Sequence, residues 1–158
     1  MKITWKDIND ENQKIVNGWL SSQDKHNLCM EQKSWSQTAL DINECILHMD
    51  KSEFKNIIGY CNSEPAVAVM FGIEGGDLLN LYNIVVNPKF RHLGIGKFVI
   101  NSLVEASKNL NLKIAYKKVM SSTLPTNFDA QKMFENCGFK NLGFNGEHFV
   151  FEKDSLEK

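Results

Sequence analysis

Arg91, His92, Leu93, Gly94, Ile95, Gly96 and Lys97 form one short run. Its two outer cations flank two glycines, a combination suited to an anion. Glycine lets backbone N–H groups approach a ligand that a side chain would hold away. Upstream, Leu78 to Val86 reads as an apolar strand, LLNLYNIVV, ended by Pro88, which cannot donate to a ladder. Downstream, Phe98 to Leu110 carries an amphipathic helical pattern. Such a strand, turn and helix start aim several backbone N–H groups at one spot, where the helix dipole favours negative charge. The expected ligand is a phosphate group, above all a pyrophosphate.

Two common phosphate motifs do not fit. A P-loop needs GxxxxGK followed by Ser or Thr. Here Gly96-Lys97 is followed by Phe98, and Arg91 stands where the first glycine belongs. A dinucleotide fingerprint needs GxGxxG and an acidic residue on the next parallel strand. Gly94-Ile95-Gly96 is followed by Lys97, Phe98 and Val99, and the strand order argues against that fold.

The elements around the run are legible in order. Ile3 to Trp5 is a short strand, and a helix capped by Asp7 or Asp10 follows to about Leu20. Asp7, Asn9 and Glu11 suggest a calcium loop, but its glycine and final glutamate places hold Asn12 and Gly18, so it is rejected. Residues 21–33 are polar and irregular, and Ser34 caps a second helix with Trp35, Leu40, Ile42, Cys45 and Ile46. These helices either form a lid over a site or cover one sheet face. Strands Phe54–Cys61, Pro65–Ile73 and Leu78–Val86, separated by short polar or glycine turns, make an antiparallel meander. A further strand, Lys113–Val119, after the helix implies local parallel pairing. SSTLPT is a loop. Asn127 opens a helix that buries Ala130, Met133, Phe134 and Cys137 and stops at Gly138. Leu142–Phe144 and His148–Phe151 form a hairpin around Asn145-Gly146, and the tail KDSLEK frays.

Composition bounds the rest. A chain of 158 residues fits one domain, residues 1–158, with 42% hydrophobic and 23% charged residues. At this size roughly 70% of the unfolded surface is buried, so neither disulfide nor metal is needed for folding. A net charge of −1 gives no general field for nucleic acid or an anionic membrane. No apolar run approaches the about 20 residues of a membrane span, and the first residues lack the apolar region of a secretion signal. The four cysteines form no CxxC pair. No metal, no nucleic acid, no membrane and a cytoplasmic location are the expectations.

What fits the run is R-x-x-G-x-G after a strand ending V-x-P (Val86-Asn87-Pro88). This resembles the signature of the GNAT superfamily of acyl-CoA-dependent N-acetyltransferases. The superfamily's next helix reads N-x-x-A-x-x-[LM]-[YF]-x-x-x-G-F, and Asn127, Ala130, Met133, Phe134, Gly138 and Phe139 fill its places. The order of elements agrees along nearly the whole chain, least over residues 7–53. The implied fold is α/β (α+β): a splayed, mixed, mostly antiparallel sheet of about seven strands flanked by about four helices. LYNIVVNP is also similar to the matching strand of the ribosomal-protein N-terminal acetyltransferases within the superfamily.

The resemblance implies roles residue by residue. Arg91, His92, Leu93, Gly94, Ile95, Gly96 and Lys97 would hold the pyrophosphate of acetyl-CoA. Ile84, Val85 and Val86 would pair through their backbone with the pantetheine arm, and a backbone N–H in a bulge, that of Val85, would polarise the thioester carbonyl. Asn127 and Phe134 would complete the cofactor site. The reaction implied is direct attack by a primary amine, of a small molecule or a peptide N-terminus, in a ternary complex. Dimers are common in the family, so a homodimer is a candidate state.

Acid and base groups are not legible. The family's proton-donating Tyr is Phe134 here, and the places of its usual Glu hold Leu78 and Lys117 or Lys118. Tyr82 and Tyr116 are candidate relays to water, with core packing as the alternative reading of each. Asp77 reads as closing the Gly75-Gly76 turn. His92 reads as solvated, His26 as surface or acceptor pocket, and His148 as pointing outward from the last strand. Cys137 reads as a buried small hydrophobe, and Trp5, Trp19 and Trp35 as core. The rival to an enzyme is a non-catalytic acyl-CoA binding module or sensor, whose cofactor site is intact while its proton-transfer site is bare.

Overall fold

A computed structural model describes residues 1–106 and 108–156. A seven-stranded sheet runs in the order β1-β2-β3-β4-β5-β7-β6. The strands are β1 Thr4–Asp7, β2 Glu53–Cys61, β3 Glu64–Glu74, β4 Leu78–Val86, β5 Lys118–Thr123, β6 Lys140–Phe144 and β7 Phe149–Asp154. Among the described residues only β4 and β5 pair in parallel; every other neighbouring pair is antiparallel. Among the described residues five α-helices flank the sheet: α1 Gln13–Trp19, α2 Ser22–Asn27, α3 Trp35–Ile46, α4 Ile95–Val104 and α5 Phe128–Asn136.

Two apolar clusters sit on opposite faces of the sheet. One joins Val67, Val69, Phe71 and Ile73 of β3 to Val99, Ile100 and Leu103 of α4 and Phe134 of α5. The other joins Ile58, Ala68 and Met70 to Val16 of α1 and Trp35 and Ala39 of α3. Helices on both faces explain why β3 is continuously apolar rather than alternating, as a strand buried on both sides must be. Within the second cluster the Trp35 indole N–H donates to Asn56 Oδ1 at 2.7 Å, so the buried ring leaves no orphaned donor.

The central feature is a bulge in β4. Phe71 pairs with Leu81, but Met70 pairs with Asn83, so Tyr82 is the extra residue. One inserted residue exchanges the faces of everything after it. Leu79 and Leu81 belong to the α4 cluster, whereas Val85 belongs to the α1–α3 cluster, and Ile84 and Val86 pack on the α4 side. The parallel ladder with β5 also runs only from Leu78↔Lys118 to Leu81↔Ser121. Beyond it the two strands part.

Several local expectations are corrected. Residues 21–33 contain a helix, α2, started by a capping box: Ser21 Oγ accepts from Asp24 N at 3.0 Å, and Asp24 Oδ2 from Ser21 N at 3.0 Å. Helix α1 begins later than Asp7 or Asp10 would place it, after Asn12. Helix α4 begins at Ile95 and ends at Val104, so the helical pattern to Leu110 overshoots; Ala106 takes φ 53° and a 3-10 turn holds Lys108–Leu110. Ser107, part of that expectation, lies outside the described residues.

The strand expected at Lys113–Val119 begins only at Lys118 and continues through Thr123, so half of the expected SSTLPT loop is strand. Its partner β4 starts at Leu78, opposite Lys118, so the ladder can begin no earlier than that rung. The Lys113 and Ile114 amides donate instead to Glu53 Oε1, at 2.9 and 3.1 Å, and those of Lys117 and Lys118 to the Asp77 carbonyl. The last hairpin turns around Gly146-Glu147, with Asn145 N donating to His148 O at 2.9 Å, one residue beyond the expected Asn145-Gly146. Lys153 and Asp154, expected in the tail, end β7; Glu157 and Lys158 lie outside the described residues.

Candidate active site

The parting of β4 and β5 opens a cleft of ≈ 1020 Å³. Its walls include Tyr82, Ile84, Val85 and Val86 of β4, Ser121–Thr123 of β5, the turn before α4, and the start of α5.

The turn has the backbone geometry an anion cradle requires. His92 and Gly94 take φ of 66° and 83°, the left-handed region, which costs glycine nothing and any L side chain strain. No protein atom within 4 Å would meet a Cβ at Gly94, so the space beside it is open. At Gly96 a Cβ would meet Met133 Sδ at 3.0 Å. That glycine therefore also lets α4 lie close to α5, a packing reason beside the ligand-approach one. Phe98 N makes the first intrahelical bond, to Gly94 O at 3.0 Å. The amides of Ile95, Gly96 and Lys97 precede it, without intrahelical acceptors, at the positive end of the helix dipole.

Arg91 is held from two sides. Its Nε donates to Val86 O at 3.2 Å, and its Nη2 lies 3.3 Å from Asp24 Oδ2. Burial opposes ionisation of Asp24, but the Ser21 backbone N–H and hydroxyl, then the Arg91 guanidinium, outweigh it and hold the carboxyl below its ordinary range. One carboxylate thus caps α2 and anchors the turn. Asn127 caps α5, its Oδ1 accepting from Ala130 N at 3.3 Å, which leaves its amide nitrogen as the donor available to a ligand.

The backbone of β4 beyond the bulge faces the cleft on alternate residues. Asn87 N donates to Ala66 O at 2.8 Å, and the antiparallel alternation then directs the amides of Val85 and Asn83 to β3 as well. The amides turned to the open side are those of Ile84 and Val86. The expectation that Val85 N–H lies in a bulge and points at the ligand is therefore corrected: the bulge is at Tyr82, three residues earlier.

Every residue expected at the cofactor site lines the cleft except Leu93, which is exposed outside it. Phe134 is buried, stacked on Phe151 with centroids 5.4 Å apart and edge-on to Phe139 at 5.2 Å. Tyr82 lines the cleft, but burial, then the neighbouring Glu74 carboxylate, hold its phenol far above the ordinary range. It stays protonated and is a donor, not a base. Tyr116 is not brought to the cleft; it is buried in the core, where its hydroxyl donates to the Leu103 carbonyl. Asp77 is exposed on the far turn, 3.9 Å from Lys117 Nζ.

Sequence reasoning missed the opposite wall of the cleft. Asp24, Cys29, Asp41, Asn83 and His148 all line it. Asp41 is bound by Lys33 Nζ at 2.6 Å and Gln37 Nε2 at 3.2 Å. His148 does not point outward from the last strand. Phe149 and Phe151 face the α4 cluster, so alternation turns His148 to the other face, into the cleft, with its side chain 23% exposed. The pattern S-x-x-D at Ser21–Asp24 was the available signal for α2. Nothing local signalled Cys29 or His148, which lie 119 positions apart. Thr123 is buried at the end of β5, and its Oγ1 has no hydrogen-bond partner among the described residues.

Among the described residues no cluster of three or more His, Cys, Asp or Glu is placed to hold a metal, and no helix is long and apolar enough to cross a membrane. Among curated proteins, none matches the chain. Solved structures do. An aminoglycoside acetyltransferase in complex with coenzyme A is similar with TM-score 0.69 and 13% identity, over 97% of this chain and 95% of that one. A spermidine N-acetyltransferase from Vibrio cholerae, in complex with CoA and spermine, is similar with TM-score 0.66 and 14% identity, over 97% and 95%. A ribosomal-protein alanine N-acetyltransferase from Escherichia coli is similar with TM-score 0.63 and 14% identity, over 98% and 94%. At these identities the likeness establishes the shared fold. The sequence profile described as the acetyltransferase (GNAT) family matches residues 8–139, so this chain, with its splayed β4 and β5 and its glycine turn at the start of α4, belongs to the GNAT acetyltransferase family.

Proposed function

We propose that the protein transfers an acetyl group from acetyl-CoA to a primary amine of a small molecule, by direct attack in a ternary complex. The observation that carries this reading is the convergence of three unlike elements on one cleft: the parted strands, the turn before α4 and the capped start of α5. The free amides of Ile95, Gly96 and Lys97, with Arg91, suit a pyrophosphate. The open-side amides of Ile84 and Val86 suit the two amides of a pantetheine arm, laid along β4 as an added strand. Asn127, Phe134 and the left-handed Gly94 complete the fit. A peptide N-terminus is the second choice of acceptor.

A sensor that binds acyl-CoA without turnover is favoured by one observation, the aromatic packing of Phe134 at the family's proton-donor place. One set of measurements separates the readings. Acetyl-CoA should raise the melting temperature, and free thiol should then appear with a panel of alkylamines and short peptides. Binding without thiol release would select the sensor. Absence of any melting shift would remove both readings.

A further inference from the structure

An alkylamine enters at neutral pH as an ammonium and cannot attack until it loses a proton. On the transferase reading above, on which this inference rests, we propose that His148 is the catalytic residue that takes this proton, through Nε2.

The geometry singles out this ring. His148 directly precedes β7, on the sheet face opposite Phe134, and lines the same cleft as Ile84 and Val86. Its Nδ1 is 3.9 Å from Glu147 Oε2, and its Nε2 is 3.5 Å from Cys29 Sγ. A carboxylate beside Nδ1 favours the tautomer protonated there, which leaves the Nε2 lone pair as acceptor. Cys29 is the present neighbour of that lone pair. Burial, then the Glu147 and Glu31 charges, push its thiol up, so it remains S–H, a weak donor. A charged ammonium displaces such a donor.

The other titratable groups on this wall are occupied. Asp24 is bound to Ser21 and Arg91, and Asp41 to Lys33 and Gln37. The Tyr82 phenol is held protonated by its burial and by Glu74. Asp129 stands in the first turn of α5, beside Asn127 on the cofactor side.

The step balances. One ammonium proton passes to Nε2, and the imidazolium so formed gives up a proton to solvent, the side chain being 23% exposed. The amine nitrogen attacks the thioester carbonyl carbon, the C–S bond breaks, and the CoA thiolate departs. The surplus proton on the adduct nitrogen goes to that thiolate, leaving an amide and free CoA.

The test follows thiol release from acetyl-CoA in the full chain, with n-butylamine, 1,3-diaminopropane and the peptide Ala-Gly-Gly as acceptors. Melting with acetyl-CoA alone runs in parallel. His148→Gln is expected to keep the wild-type melting temperature and its rise with acetyl-CoA, while kcat falls about 100-fold and the acid limb of the pH–rate profile disappears. His148→Ala is expected to regain activity with added imidazole. If His148→Gln turns over within threefold of wild type with the same acid limb, the inference is overturned and the transferase reading stands. If wild type binds no acetyl-CoA, or all three acceptors are silent, both fall together.

Discussion

At the scale of single residues, the site mixes satisfied and unsatisfied groups. Ser121 and Thr123 both point from β5 into the buried face. Ser121 Oγ donates to the Leu81 carbonyl at 2.9 Å, bridging the last paired rung of β4 and β5. Thr123, two residues on, has passed the point where β4 is within reach, and its hydroxyl is orphaned among the described residues. A buried unpaired hydroxyl costs about 1–3 kcal/mol, and an apolar isostere removes the penalty without opening a cavity. Thr123→Val should therefore stabilise the protein by up to about 1 kcal/mol. A lower denaturation midpoint for the variant would contradict this.

At the scale of elements, α2 carries more than its six residues suggest. Without Asp24 it loses its capping box and its tie to Arg91 at once. Asp24→Asn should loosen the turn before α4 and weaken acetyl-CoA binding several-fold. Its direct effect on stability should stay below about 1 kcal/mol, since the pair is partly exposed. The sign of the pH dependence follows from the lowered Asp24 value. The contribution is complete above the ordinary carboxylate range and is lost as pH falls through the lowered value, because the folded state then has to take up a proton. Comparing acid denaturation of wild type and Asp24→Asn checks this: the two should differ at neutral pH and converge in strong acid.

At the scale of the whole molecule, the cleft exists because a sheet paired on both sides of β4 stops being paired halfway along. The seven-stranded sheet is continuous at one end and forked at the other, and helices on both faces hold the fork apart. A ligand that fills the fork binds only the folded state. Acetyl-CoA at about 100 times its dissociation constant should add about 2.7 kcal/mol, or roughly 5–10 °C for a chain of this size. Gly94→Val should abolish that rise while the protein still folds, since open space adjoins the position and the penalty is one strained φ. A rise equal to wild type would refute the placement of the pyrophosphate at this turn.

The sequence alone determined the features written in local order. The strand Leu78–Val86, the glycine turn, the Ser34 and Asn127 caps and the stop at Gly138 each depend on a few neighbouring residues, whose sterics and hydrogen bonds act within one turn. The same locality made the glycine-turn side of the cleft legible, because its groups are backbone amides and glycines within a short run. Tertiary structure decided everything that needs a distant partner. Where β5 starts depends on where β4 begins, and which β4 amides face the cleft depends on a bulge seen only in the register with β3. The opposite wall of the cleft is the strongest case. Asp24 meets Arg91 across 67 positions, and Cys29 meets His148 across 119. No local pattern encodes such a pair, because strand order, not sequence spacing, brings its members together.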